Sequence, residues 1–137
     1  MPNDPVRIIL DTNFWISFLI KKDYSRLDSL LFSKQAILVF SEELLEEFVT
    51  VAKRQKFRKY FSLTDLEHVI NAIEAYAEFI KVKTDVTVCR DEKDNFLLSL
   101  AIDGGAFYLI SGDYDLLELK VFGKTNIVTF TDFLKKV

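Results

Sequence analysis

The feature that most restricts the fold is an alternation: short, mostly apolar runs that lack a regular polar–apolar alternation, each followed by a stretch whose apolar residues recur every three or four positions. The runs are "VRIIL" at 6–10, "AILVF" at 36–40, "AFYLI" at 106–110 and "NIVTF" at 126–130. A strand with one wet face alternates polar and apolar residues, so these runs are expected to be covered on both faces. Between them, Phe14, Trp15, Phe18 and Leu19 repeat at helical spacing, as do Leu66, Val69, Ile70, Ile73 and Ala77 over a helix predicted at 64–80. Ser25 is placed to cap a helix with Leu27, Leu30 and Leu31 on one face, and Ser41 a helix ending near Lys53. Asp91 caps one that runs through Ala101 and stops at Gly104 and Gly105. "VTVC" at 86–89 reads as a fifth strand, "YDLLEL" as a short helix opened by Asp113, and "TDFLKKV" as the last helix. The pattern predicts an α/β protein with a parallel sheet covered on both faces.

A chain of 137 residues, half of them hydrophobic, suits one compact domain over 1–137. The longest apolar run near the N-terminus, "FWISFLI", is broken by Ser17, and no run approaches the roughly 20 apolar residues a bilayer needs. "MPNDPVR" lacks the basic-then-apolar plan of a signal peptide, so the expectation is a soluble, cytoplasmic protein with no membrane contact. Cys89 is the only cysteine, which excludes an intrachain disulfide and a cysteine-based zinc site. The formal net charge of -3 hides a local imbalance. Residues 53–60, "KRQKFRKY", hold Lys53, Arg54, Lys56, Arg58 and Lys59 with no acid, and removing those five positive charges leaves -8 on the rest. Such a strip can meet phosphates. Equally, it can be the solvated end of a helix whose dipole favours cations.

In an open parallel sheet, ligands gather beyond the carboxyl ends of the strands. Asp11 follows the first run, Asp91 and Asp94 follow "VTVC", and Asp113 and Asp115 follow "AFYLI". The helix "SEELLEEFVTVAK" offers a further acid. With Leu44, Leu45, Phe48, Val51 and Ala52 facing the core, Glu47 lies roughly 105° from the centre of that face and Glu46 roughly 155° from it. Glu47 leans toward the sheet; Glu46 points to water. Two carboxylates about 4 Å apart repel by on the order of 4 kcal/mol at an effective dielectric of about 20, so a group of them calls for protonation or a divalent cation. With oxygen ligands only, the cation expected is hard, Mg²⁺ or Mn²⁺. Any one of the aspartates alone is better explained as a helix cap; their joint occurrence at successive strand ends is what points to a site, with Asp91, Asp115 and Glu46 as the bystanders. His68, beside Glu67 and Asn71 and off the apolar stripe, reads as a surface residue, and Trp15 as core.

"ILDTNFWIS", "SEELLEEF", "RDEKDNFLLSLA" and "LISGDYDLLEL", in this order and over most of the chain, resemble the PIN domain, most closely its bacterial toxin-antitoxin branch of VapC-type toxins. The resemblance implies a three-layer α/β/α sandwich with a central, mostly parallel sheet of about five strands, and a metal-dependent ribonuclease whose catalytic and metal-binding acids match Asp11, Glu47, Asp94 and Asp113. Asp115 matches a further acid often present, and Asn13 a polar companion of Asp11. Ser111 stands where many relatives carry threonine, and the hydroxyl is kept. The implied partners are an RNA substrate and a cognate antitoxin, and a homodimer is compatible with the family.

On that reading Asp11, Asp94 and Asp113 hold Mg²⁺, one ion or two, with Glu47 completing the site. Thr12, Asn13 and Ser111 supply auxiliary polar contacts, and the strip Lys53 to Lys59, with Phe57 and Tyr60 for stacking, offers a path for the RNA backbone. The alternative is a non-catalytic PIN-like module that binds RNA or protein. A phosphatase would need a second aspartate where Asn13 stands, and a receiver domain paired acids where threonine follows Asp11. No phosphate-cradling glycine loop or nucleophile elbow is present.

Overall fold

The computed structural model describes residues 5–22, 25, 28–29 and 34–136. Six strands form one sheet: β1 (Val6–Leu10), β2 (Ala36–Phe40), β3 (Glu78–Phe79), β4 (Tyr108–Ile110), β5 (Val121–Phe122) and β6 (Thr125–Val128). Their spatial order is β3-β2-β1-β4-β6-β5. All neighbours are parallel except β5 and β6, which form an antiparallel hairpin. The chain moves outward from β1 in one direction to β2 and β3, then returns to place β4 on β1's other flank, so the order reverses between β1 and β4.

Parallel partners share a face, and the sheet's two sides can be read from that. Ile8 pairs with Leu38 and with Tyr108, and these side chains face helix α1 (Thr12–Lys21) and the C-terminal helix α6 (Phe130–Lys136). There Trp15 packs on Phe18, Phe40 and Phe48, while Phe130 meets Phe14 and Phe18, and Phe133 meets Tyr108. Helices α2 (Glu42–Ala52) and α3 (Leu63–Tyr76) join α1 in this layer. Helix α4 (Glu92–Gly104) covers the opposite face, and its last residue comes so close to β2 that a Cβ on Gly104 would lie 2.5 Å from Val39 Cγ1. A short α5 (Tyr114–Leu117) follows β4. Arg7 on β1 ties the α4 side together: Nε donates to the carbonyl of Gly104, and both terminal nitrogens donate to Glu78 of β3.

Two expectations need correction. The helix predicted at 64–80 ends at Tyr76, because Glu78 and Phe79 pair with Val39 and Phe40 as an edge strand and the Phe79 ring packs, tilted, against Phe40. "VTVC" at 86–89 is not a strand. The backbone N–H groups of 83–89 are claimed by side chains of α4: those of Lys83 and Thr84 donate to Asp103, that of Val86 to the Ser99 hydroxyl, and that of Cys89 to Asn95 Oδ1. Asn95 returns a bond from Nδ2 to the Cys89 carbonyl. Asn95, Ser99 and Asp103 are four residues apart, hence stacked along one side of the helix. The segment is a polar ladder laid against α4, with its peptide groups satisfied by a helix instead of a neighbouring strand. The helix predicted from Ser25 with Leu27, Leu30 and Leu31 on one face falls on residues most of which, those leucines included, lie outside the described residues.

Candidate metal centre

The reversal between β1 and β4 opens a crevice at the carboxyl edge of the sheet, the place where a doubly wound fold binds its ligand. Asp11 leaves β1 there, and its N–H donates to the Ile110 carbonyl at the end of β4. Ser111 follows β4 and is fully buried. Its hydroxyl donates to Asp11 Oδ2 at 2.9 Å and accepts the N–H of Asp113 at 3.0 Å, so one side chain fixes the acids of two strand ends. Asp113 caps α5, accepting the Asp115 N–H at 2.9 Å. Helix α4 delivers Asp94 in its first turn, one turn past the cap Asp91, whose carboxylate accepts the Lys93 N–H.

Carboxylate oxygens of Asp94, Asp113 and Asp115 lie within 4.8 Å of one another. Asp94 is only 5% exposed, and its buried Oδ2 has no hydrogen-bond partner. Burial, followed by the charges of Asp113, Asp91 and Asp11, raises the Asp94 carboxyl to about 6. Burial also raises Asp11; the Ser111 hydroxyl and the nearby N–H groups of Asn13 and Thr12 oppose the rise, and the charge of Glu47 adds to it. Two acids thus meet the cost of ionising in a crowded, poorly solvated crevice. A set made only of oxygen donors, with a buried carboxylate oxygen that nothing in the protein satisfies, fits a hard divalent cation.

Glu47 is half-buried on α2 and Glu46 exposed. Glu47 does not join the group of three; its Oε1 lies 3.3 Å from Lys93 Nζ. Asp115, expected to be a bystander, belongs to the group, and Arg90 Nη2 donates to both of its carboxylate oxygens at 3.0 and 2.9 Å. Arg90 and Lys93 were not singled out from the sequence, although the string "RDEKD" sets both beside Asp91 and Asp94. Thr12 is buried at the start of α1 and Asn13 exposed beside it. Cys89, expected to be a buried strand end, is half-buried; burial, followed by the charges of Asp94, Asp115, Asp113 and Asp91, raises its thiol.

Lys53, Arg54, Lys56, Arg58 and Lys59 sit at the far end of α2 from Ser41, about 16 Å along an 11-residue helix from the strand edge that carries the acids. Lys53 and Arg58 line a groove with Ala52, Phe61, Ser62 and Leu63. Lys56 lies over Phe57, which stacks on Phe61, and Lys59 lies over the exposed ring of Tyr60. His68 is exposed on α3. Among the described residues, no helix is long and apolar enough to cross a membrane.

Residues 7–115 match the sequence profile of the PIN domain. An uncharacterized protein of Methanocaldococcus jannaschii is 29% identical over 118 residues, covering 84% of this chain and 76% of that protein. Among solved structures, a chain of VapBC2 from Rickettsia felis, crystallised with a DNA fragment from the proteins' promoter, superposes with a TM-score of 0.64 at 17% identity over 91% of this chain and 99% of that one.

Proposed function

Because the chain belongs to the PIN domain family, we propose that residues 1–137 are one nuclease domain, a ribonuclease dependent on Mg²⁺ or Mn²⁺ that hydrolyses RNA phosphodiester bonds. The observation that carries this reading is the buried, unsatisfied Asp94 oxygen within 4.8 Å of two further carboxylates at the sheet's switch point. Asp94, Asp113 and Asp115, the three that lie together, would hold the cation, with Asp11, tied to the Asp113 backbone through Ser111, and Glu47 at its margin. A hard cation held by these residues would supply the Lewis acidity needed to lower the pKa of water and to offset charge on the phosphate.

The chain's own residues prepare that chemistry. Ser111 holds Asp11 and the Asp113 backbone in one orientation, which removes rotamer freedom that would otherwise be lost on binding. Burial keeps water from the free Asp94 lone pairs. Asn13, exposed beside the buried Thr12, would offer an amide at the rim for phosphate or water. The strip Lys53 to Lys59, a helix length away, would contact RNA remote from the cleaved bond.

The fold shared with the VapBC2 chain supports an antitoxin partner; on this proposal the chain is a cytoplasmic toxin, and a homodimer is compatible with the family. Replacing Asp11 by Asn should abolish Mg²⁺-dependent RNA cleavage while circular dichroism and the melting temperature stay near those of the parent. Full residual cleavage removes the proposal.

A second reading, a PIN-like module that binds RNA or protein without cutting, is favoured by one observation. Glu47 and Asp115 already have cationic partners within the chain. Calorimetry with Mn²⁺ at neutral pH separates the two: heat of binding supports the nuclease, and its absence the module.

A further inference from the structure

We infer that Arg90 and Lys93 form a two-sided clamp for the phosphates of a single-stranded nucleic acid flanking the bond to be cut; the inference rests on the nuclease reading. Three observations converge on it. The two cations reach the acidic crevice from different sides, Arg90 through Asp115 on α5 and Lys93 through Glu47 on α2. Both also stand where cations are unfavourable for the fold. Lys93 is in the first turn of α4 and Arg90 just precedes its cap, at the positive end of the helix dipole.

Their side chains are 88% and 60% exposed, so the ion pairs contribute little stability and leave both groups free to exchange a carboxylate for another oxyanion. An acidic crevice alone repels a polyanion. A guanidinium and an ammonium at its two margins remove that repulsion where the strand must enter and leave, and a guanidinium suits phosphate oxygens in particular. Clefts flanked by cations also draw in anionic substrates.

The test uses the full chain with Arg90→Gln, Lys93→Gln and, as a charge control, Lys124→Gln, which lies in the β5–β6 turn at the opposite edge of the sheet. Binding of a short, labelled, mixed-sequence single-stranded RNA is followed by anisotropy over a salt series with Ca²⁺ present, and Mn²⁺ binding without RNA by calorimetry. Arg90→Gln and Lys93→Gln should each weaken RNA binding about five- to tenfold and lower the slope of log Kd against log salt by about 0.7. Mn²⁺ binding should hold or tighten, since a competing positive charge has been removed. Lys124→Gln should change neither by more than about twofold.

RNA affinity and salt slope at parent values in both variants overturn the clamp, as does a parent that binds no RNA. So does a joint loss of RNA and Mn²⁺ binding, which would make the two cations supports of the acids. A parent that binds RNA through Arg90 and Lys93 yet takes up no Mn²⁺ and cuts nothing keeps the clamp and removes the nuclease.

Discussion

Replacing Asp94 by Asn in EDTA-treated protein removes a carboxyl that the fold holds at about 6, against an ordinary 3.8. The folded state therefore keeps this proton more tightly than the unfolded chain. Its contribution is complete below the unfolded value and is lost as pH rises through the folded one. A rise of about 2 units corresponds to about 3 kcal/mol by which ionised Asp94 weakens the fold above pH 7. Asn is nearly isosteric and does not titrate. The stability difference between Asp94→Asn and the parent should therefore grow in favour of the variant by about 2 to 3 kcal/mol between pH 4 and pH 8. Urea denaturation at the two pH values reads this as a relative midpoint shift of roughly 1–2 M. Mn²⁺ at pH 8 should recover most of the deficit in the parent and little in the variant, since ligand binding to the folded state alone adds stability. A pH-dependent difference below about 0.5 kcal/mol would refute the view that Asp94 is crowded and poorly solvated.

Two further outcomes test the framework. Ser111→Ala leaves Asp11 Oδ2 and the Asp113 N–H without their shared partner in a buried spot; it should cost about 1–3 kcal/mol in urea unfolding, with Ser111→Thr close to the parent. Gly104→Ala forces a methyl against Val39 and should cost about 1–3 kcal/mol, part of which returns when Val39 is also reduced to Ala; strictly additive losses would argue against the contact.

Asp11 and Asp113 closely follow the strands β1 and β4, so local pattern carries them to the sheet edge, whereas Asp94 arrives on α4 and not after the strand expected at "VTVC". The choice between Glu46 and Glu47 also lay in local periodicity, since a helix turns its residues at a fixed angle; Glu47 is the half-buried one. What the sequence hid is non-local. Strands β3 and β5 have two residues each and show no period of their own; they exist because β2 and β6 offer them edges. The ion pairs of Arg90 with Asp115 and of Lys93 with Glu47 join residues 25 or more positions apart, which no spacing rule encodes. "VTVC" has a strand's composition, but composition does not say which groups accept its hydrogen bonds. The signal that was present, polar residues at 95, 99 and 103 on a helix otherwise apolar beyond Asp94, looks like ordinary solvent-facing chemistry until the segment lying on them is known.

That polar ladder works as a ruler. Its rungs grip main-chain groups of Lys83, Thr84, Val86 and Cys89, so side chains at 85, 87 and 88 can vary without loosening it. The number of residues between rungs cannot vary. One deletion there would draw Arg90 back by about 3.3 Å, the rise of a single extended residue, and pull its guanidinium off Asp115. Length, more than residue identity, is what this connection transmits to the mouth of the crevice.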